Sequence, residues 1–146
     1  MTMNDQIYKQ VNTFFDAYAH ALENHDTKLL AYHYHIPCTL MSDDNTTAFS
    51  ESSKLEGLFN QGVVFYKQFG IVHARPTIWN KDVWTDKIIR VRVNWQYFDA
   101  QQQPVYDCDY HYVMREVKNG QLKIICSVSV NEKERMNEWM KLKQTK

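Results

Sequence analysis

The sequence predicts an α+β fold in which helices come first and an antiparallel sheet follows. In the first half of the chain, apolar residues recur every three or four positions, as on one face of a helix. From residue 71 onward the period changes to two, which is typical of strands with one buried face. The dipeptide Asn119-Gly120 lies between two of these alternating runs and is a strong hairpin signal. Helices followed by turn-linked strands indicate an α+β order rather than βαβ units.

The length and composition favour one domain spanning residues 1–146. The chain is 44% hydrophobic, and a chain of this size buries about two-thirds of its unfolded surface without disulfides or a structural metal. Seventeen basic residues balance seventeen acidic ones, which argues against nucleic acid as the main partner. The apolar runs are shorter than the roughly 20 residues that span a bilayer. The three cysteines form no disulfide framework and no signal peptide is visible, so we expect a cytoplasmic protein that binds no membrane.

The first predicted helix is marked by an apolar stripe. The stripe consists of Ile7, Val11, Phe14, Phe15, Tyr18, Ala21 and Leu22. Asp26 is suited to cap a short second helix, whose face carries Leu30, His33 and Tyr34. Because a proline disfavours helical geometry in the residue before it, we expect Pro37 to end that helix.

A strand, a turn and a third helix are predicted between the second helix and the sheet. The strand covers residues 36–41 and the turn covers residues 42–45. Ser50 is suited to cap the third helix, and Gly70 fits its end. The apolar side of this helix consists of Leu55, Leu58, Phe59, Val63, Tyr66 and Phe69.

Four strands are predicted in the second half, over residues 71–84, 87–98, 105–117 and 122–130. The hairpin at residues 119–120 pairs Val117 with Leu122, and the glutamine-rich turn before it pairs Phe98 with Val105. The tail over residues 132–143 either adds a helical turn or stays frayed.

These registers sort the strand residues onto two faces. One face carries Val91, Val93, Trp95, Tyr97, Tyr106, Tyr110, Tyr112, Met114, Ile125, Ser127 and Ser129. The other carries Arg90, Arg92, Asn94, Asp107, Asp109, His111, Val113, Leu122, Ile124, Cys126 and Val128. The first face is aromatic with a few hydroxyls, so we expect it to lie inward, under the helices and around a ligand cavity.

The order of elements resembles the nuclear-transport-factor-2-like superfamily of cone-shaped α+β barrels. The closest local likeness is the stretch from Tyr18 to Asp26, continuing through Leu30, Tyr34 and Ile36-Pro37, which is similar to the ketosteroid-isomerase-like and SnoaL-like pattern. The resemblance implies a curved, mostly antiparallel sheet wrapped around three N-terminal helices. Members include isomerases, dehydratases, epoxide hydrolases, cyclases and non-catalytic binding proteins, so the fold implies little about the reaction.

The resemblance extends to three positions that have catalytic roles in the ketosteroid isomerases. Tyr18 matches the tyrosine of the oxyanion hole, whereas the position of the general-base aspartate falls near Ser42, beside Asp43 and Asp44. The second oxyanion donor falls at Tyr112, which can still donate a hydrogen bond. These departures argue against steroid isomerisation and leave a related acid–base reaction open.

Tyr18 and His33 are the leading candidates for chemistry, and each also has a structural explanation. The hydroxyl of Tyr18 can donate to a ligand, or it can be satisfied by another protein group in the core. His33 on an apolar face can act as a general acid or base, or it can be a satisfied core histidine.

Asp107, Asp109 and His111 share one face of a strand and are residue types that bind transition metals. Arg90, Arg92 and Asn94 lie beside them in the predicted register, so cross-strand pairing explains the set without a metal. We favour that explanation and expect neither a metal nor a cofactor.

The sequence supports two hypotheses about function. In the first, a small apolar or aromatic molecule binds an interior wall, with Tyr18 as oxyanion donor and His33 or Asp43 as proton carrier in isomerase, lyase or cyclase chemistry. The expected ligand-binding residues are Phe14, Tyr34, Phe59, Trp95, Tyr97, Tyr110, Tyr112, Met114 and Ser127. In the second, the protein is a non-catalytic module that dimerises through an apolar set on the outer sheet face. That set consists of Val113, Ile124, Cys126 and Val128.

Overall fold

The computed structural model describes residues 3–144, which form four helices and six strands in an α+β order, as predicted. Along the chain these are α1 (Met3–Glu23), α2 (Thr27–Tyr32), β1 (Tyr34–Met41), β2 (Thr46–Phe49), α3 (Ser52–Gln68), β3 (His73–Val83), β4 (Ile88–Phe98), β5 (Pro104–Glu116), β6 (Leu122–Ser129) and α4 (Glu132–Gln144). The tail is therefore a complete fourth helix rather than a single turn. No helix between residues 3 and 144 is long and apolar enough to cross a membrane.

The strands form one curved, open sheet in the order β2-β1-β6-β5-β4-β3. All neighbours are antiparallel except β1 and β6, which run parallel. The helices and the aromatic face of the sheet share one hydrophobic core. The predicted curved, mostly antiparallel sheet around N-terminal helices is confirmed.

The second helix is capped as predicted but ends earlier than expected. Asp26 Oδ1 accepts a hydrogen bond from the backbone N–H of Leu29 at 3.1 Å. The helix stops at Tyr32 because the backbone then joins the sheet, where the N–H of Ile124 donates to the carbonyl of His33 at 2.9 Å. Pro37 lies inside β1 and does not terminate the helix.

The third helix ends as predicted and begins differently. Gly70 has a positive φ of 72°, its N–H donates to Lys67 O, and the next N–H donates to Tyr66 O. These paired bonds form a C-terminal cap that favours glycine. At the other end, Glu51 occupies the N-cap position without a side-chain hydrogen bond, so the predicted cap at Ser50 is wrong.

The central register between β4 and β5 is confirmed, and both predicted registers shift near their turns. Trp95 pairs with Cys108, but Phe98 pairs with Pro104 instead of Val105. In the next pair of strands, Tyr112 faces Ser127 as predicted. A 3₁₀ turn over Lys118–Gly120 replaces the two-residue hairpin.

A β-bulge in β6 reverses the predicted orientation of its first residues. Val113 pairs with Cys126 but Met114 pairs with Ile124, so Ile125 is an extra residue. Leu122 and Ile124 are consequently buried, with 7% and 0% of their surface exposed. Their assignment to the outer face is wrong because a shift of one residue moves side chains to the opposite face.

Phe15 joins α1 to the aromatic face of the sheet. Its side chain has no exposed surface. Its ring centroid lies 5.1 Å from that of Tyr112 and 6.3 Å from that of Trp95. Such contacts between buried rings position α1 against the sheet and hold the wall on which the cavity described below depends.

We predict that Phe15→Ala lowers the free energy of unfolding by about 3–5 kcal/mol, because it leaves a void between α1 and the sheet. Urea unfolding followed by circular dichroism measures the loss. The matched control is Phe65→Ala, at a half-exposed position on α3, where a change within about 0.5 kcal/mol is expected. Equal losses in the two variants would contradict this account of the core.

Candidate ligand-binding cavity

A cavity of about 330 Å³ lies between α3 and the aromatic face of the sheet. Its lining comprises Tyr18, Leu22, Leu30, Tyr34, Leu40, Leu58, Phe59, Gln61, Gly62, Val63, Phe65, Tyr66, Trp95, Tyr97, Tyr110, Tyr112, Ser127 and Glu132. Leu58 and Phe65 of α3 are 39% and 51% exposed, so the cavity reaches the surface beside this helix. The volume and aromatic walls are typical of sites for small organic molecules.

The structure brings most of the predicted ligand-binding residues to this cavity. Those that line it are Tyr34, Phe59, Trp95, Tyr97, Tyr110, Tyr112 and Ser127, and the predicted catalytic residue Tyr18 lines it as well. Met114 does not line it, because this residue pairs with Ile89 and Ile124 and is fully buried among them.

His33 and Phe14 lie outside the cavity and line a separate groove beside α1. The Nδ1 atom of His33 lies 2.8 Å from the carbonyl oxygen of Leu29, and its ring meets Phe14 edge-on at 4.8 Å. Burial, followed by the charge of Lys123, lowers the pKa of His33 below its ordinary value. This geometry corresponds to the satisfied core histidine, and His33 is not positioned as a proton carrier for the cavity.

Asp43 also lies away from the cavity. It is exposed in the turn between β1 and β2, which the N–H of Ser42 closes by donating to the carbonyl of Asn45 at 2.9 Å. Asp43 borders a shallow surface groove instead. The turn leaves this carboxylate exposed and outside the cavity, so the geometry gives no support to its predicted role as proton carrier.

The tyrosine hydroxyls of the cavity bond to one another. Tyr18 Oη lies 2.9 Å from Tyr34 Oη, and Tyr66 Oη lies 3.0 Å from Tyr97 Oη. Only one proton occupies the space between two hydroxyl oxygens, so the Tyr18–Tyr34 pair retains a second O–H for another acceptor.

Tyr112 and Ser127 add further donors to the lining. Tyr112 Oη accepts a hydrogen bond of 2.8 Å from the indole N–H of Trp95, which leaves its own proton free to donate. Ser127 is 3% exposed and contributes a further hydroxyl to the lining. The cavity therefore contains several O–H groups, of which that of Tyr112 is free to donate.

Burial keeps these tyrosines in the protonated form. It is the largest cause that raises the pKa of Tyr18, Tyr34 and Tyr112 above the ordinary value for a phenol. Burial likewise raises the pKa of Tyr66 and Tyr97. Near neutral pH the walls therefore donate hydrogen bonds and carry no phenolate.

Glu132 is a cavity residue that the sequence did not reveal. It begins α4, and its carboxylate accepts hydrogen bonds from Tyr110 Oη at 2.5 Å and Tyr106 Oη at 2.8 Å. The spacing of Met136 and Trp139, which pack on the core, indicates a helix in the tail. That signal locates the helix, but only the tertiary structure brings its first residue to the tyrosines.

The polar residues on the outer sheet face pair with one another across strands, as favoured above. Arg92 Nη2 lies 3.0 Å from Asp109 Oδ2, and Asn94 Nδ2 donates to Asp109 Oδ1 at 2.9 Å. Arg90 Nη1 lies 2.9 Å from His111 Nδ1. Within the described part of the chain, no cluster of three His, Cys, Asp or Glu side chains is arranged to hold a metal ion.

We predict that His33 makes the protein less stable as the pH falls below about 6.5. Its folded pKa is lowered, so the unfolded chain binds the proton first and acid favours unfolding. Removing the imidazole in His33→Leu should flatten the dependence of the unfolding midpoint on pH between 7 and 5. Urea unfolding at several pH values measures this, and an unchanged slope in the variant would contradict it.

Three solved structures illustrate the fold similarity. An NTF2-like protein of unknown function from Shewanella oneidensis MR-1 is 10% identical, with a TM-score of 0.67 over 84% of this chain and 98% of that chain. A ketosteroid isomerase-like protein from Erwinia carotovora atroseptica is 14% identical, with a TM-score of 0.61 over 82% and 91% of the two chains. ActVI-ORFA from Streptomyces coelicolor is 15% identical, with a TM-score of 0.66 over 85% and 96%. At these identities the similarity shows the fold alone.

A search of curated proteins found no match to the sequence. A family model described as NTF2-like protein (DUF6841) matches residues 5–132, a range that contains every residue lining the cavity, Glu132 included. The resemblance seen in the order of elements is thus confirmed by an independent match over most of the chain. The chain belongs to this NTF2-like family.

Proposed function

We propose that the protein binds a small, mainly apolar or aromatic molecule that carries an acceptor oxygen. The observation that carries this proposal is the pairing of Tyr18 with Tyr34 inside an apolar cavity, because the pair keeps one O–H for a ligand. The unused proton of Tyr112 points to the same ligand chemistry. A carbonyl or ether oxygen satisfies these donors, while the aromatic walls bind the rest of the molecule.

The geometry supports ligand binding better than it supports catalysis. Tyr18 remains a candidate donor to a developing oxyanion in isomerase, lyase or cyclase chemistry. The two expected proton carriers, His33 and Asp43, lie outside the cavity, which weakens the catalytic form of the proposal. A fold relative from Catenulispora acidiphila was solved in complex with S-DNPA, which supports ligand binding by proteins of this fold.

We predict that 2-acetylnaphthalene binds more tightly than 2-ethylnaphthalene, which has a similar shape but no acceptor oxygen. A net hydrogen bond of about 0.5–1.5 kcal/mol corresponds to a preference of roughly two- to twelvefold. The double variant Tyr18→Phe/Tyr34→Phe removes both hydroxyls of the pair and should reduce this preference. Calorimetric titration of both compounds measures it.

Tyr32→Phe is the matched control, because this tyrosine is exposed and its hydroxyl bonds to Gln121 outside the cavity. It should leave the preference unchanged. If neither naphthalene binds the wild-type protein, the cavity is not a binding site for such molecules. Equal binding of the two would argue against the acceptor oxygen.

A second candidate function is a homodimeric module that associates through the outer sheet face. Val113, Cys126 and Val128 are half-buried there, whereas Ile124 belongs to the core and is no part of this surface. The exposed ring of Trp79 packs against Arg92 on the same face. A half-buried apolar patch beside an exposed indole is a surface that a second copy of the chain can cover.

We predict that Val128→Asp weakens such a dimer about tenfold or more, because it buries a charge against the second copy. Sedimentation velocity at micromolar concentration measures the association. Val64→Asp, at an exposed position of α3, is the matched control and should have no effect. A wild-type protein that sediments as a monomer throughout this range would rule out the proposed dimer.

A further inference from the structure

We infer that the natural ligand carries a cationic nitrogen that pairs with Glu132. This inference rests on the proposed function, since it specifies one group of the molecule that binds the cavity. It depends on the charge of the cavity lining, on the hydrogen bonds that position the carboxylate and on the aromatic rings around it.

Glu132 introduces a negative charge that the described lining does not neutralise. The lining residues include no lysine, arginine or histidine. The neighbouring Lys133 is directed elsewhere, since its Nζ lies 3.8 Å from Asp44 Oδ2 and its side chain is mostly exposed. A ligand that fills the cavity shields this carboxylate from water, so a cationic group on that ligand gains by supplying the counter-charge.

The carboxylate is positioned and still has capacity for a ligand. Tyr110 Oη donates to Oε1 and Tyr106 Oη donates to Oε2, which uses one site on each oxygen. An ionised carboxylate offers about four acceptor sites, so roughly two remain.

Aromatic rings surround the place where a cation would lie. Tyr110 and Tyr112 are stacked, with ring centroids 5.6 Å apart and an interplanar angle of 10°. The rings of Tyr66 and Tyr97 form a second pair, 5.2 Å apart. The negative faces of such rings attract ammonium groups, and this attraction strengthens where water is excluded.

An organic ammonium fits these residues better than a metal ion does. Glu132 is the single carboxylate in the described lining, which has neither histidine nor cysteine. A metal ion bound there would have one charged protein ligand, whereas a metal site needs several. An ammonium group needs one carboxylate, acceptor oxygens and ring faces, all of which are present.

The surface groove next to Glu132 is also negatively charged. Glu132 also borders the shallow groove that contains Asp43, and the other charged residues of that groove are Asp44, Lys133 and Glu134. Four acidic residues and one basic residue give the groove a net negative charge. Such a field favours the approach of cations over anions.

The test compares three naphthalene probes that differ in one substituent. 2-Naphthylmethylamine is protonated at pH 7, 2-naphthalenemethanol is neutral, and 2-naphthoate is anionic. The amine should bind about tenfold or more tightly than the alcohol, as expected for a hydrogen bond to a charged group. The naphthoate should bind more weakly than the alcohol, and calorimetric titration measures all three.

Glu132→Gln removes the charge and keeps the size of the side chain. It should reduce the preference for the amine over the alcohol to less than about threefold, because a neutral amide loses the charge-assisted bond. Circular dichroism checks that the variant remains folded. Glu134→Gln is the matched control, because it changes the same charge at an exposed position of α4 and should preserve the preference.

The outcomes separate this inference from the function on which it rests. If the alcohol binds as tightly as the amine in the wild-type protein, the inference is overturned and the cavity still binds small molecules. If the amine is preferred equally in Glu132→Gln, the cation is recognised by groups other than Glu132 and the inference is also overturned. If none of the three probes binds, the proposed function fails and the inference fails with it.

Discussion

The alternation of side chains along β4 and β5 is the constraint on which the rest of the structure depends. Trp95 and Tyr97 on β4, with Tyr110 and Tyr112 on β5, all face the helices because residues two apart share a face of a strand. Phe15 of α1 packs on Tyr112 and Trp95, and the space left between this wall and α3 is the cavity.

The second constraint is that the hydroxyl groups on that wall need hydrogen-bond partners. A buried hydroxyl without a partner is costly, and the tyrosines meet this cost by bonding in pairs or, at Tyr112, by accepting from an indole N–H. Pairing satisfies each oxygen but leaves protons without acceptors. The interior is thus stable as a fold and also able to recognise oxygen atoms, and both properties have the same physical cause.

The fourth helix contributes the one charged residue of the described cavity lining, Glu132. Asn131 Oδ1 accepts a hydrogen bond from the backbone N–H of Asp109 at 2.8 Å, which ties the start of α4 to β5. Trp139 stacks on Phe69, with ring centroids 4.8 Å apart, and ties the rest of the helix to α3. These contacts hold Glu132 against Tyr106 and Tyr110, so a wall whose other polar groups are neutral gains one negative charge.

The amino-acid sequence alone determined the α+β order, the helix cap at Asp26, the glycine at the end of α3 and the inward face of β4 and β5. Each of these follows from local periodicity or from the conformational preference of one residue, so neighbours in sequence are sufficient to predict it. Most of the aromatic wall was predictable for the same reason. Only the tertiary structure decided the bulge at Ile125, the exclusion of His33 and Asp43 from the cavity and the inclusion of Glu132. These features depend on how distant segments pack, and no local pattern records which turn projects outward or where a terminal helix begins relative to β5.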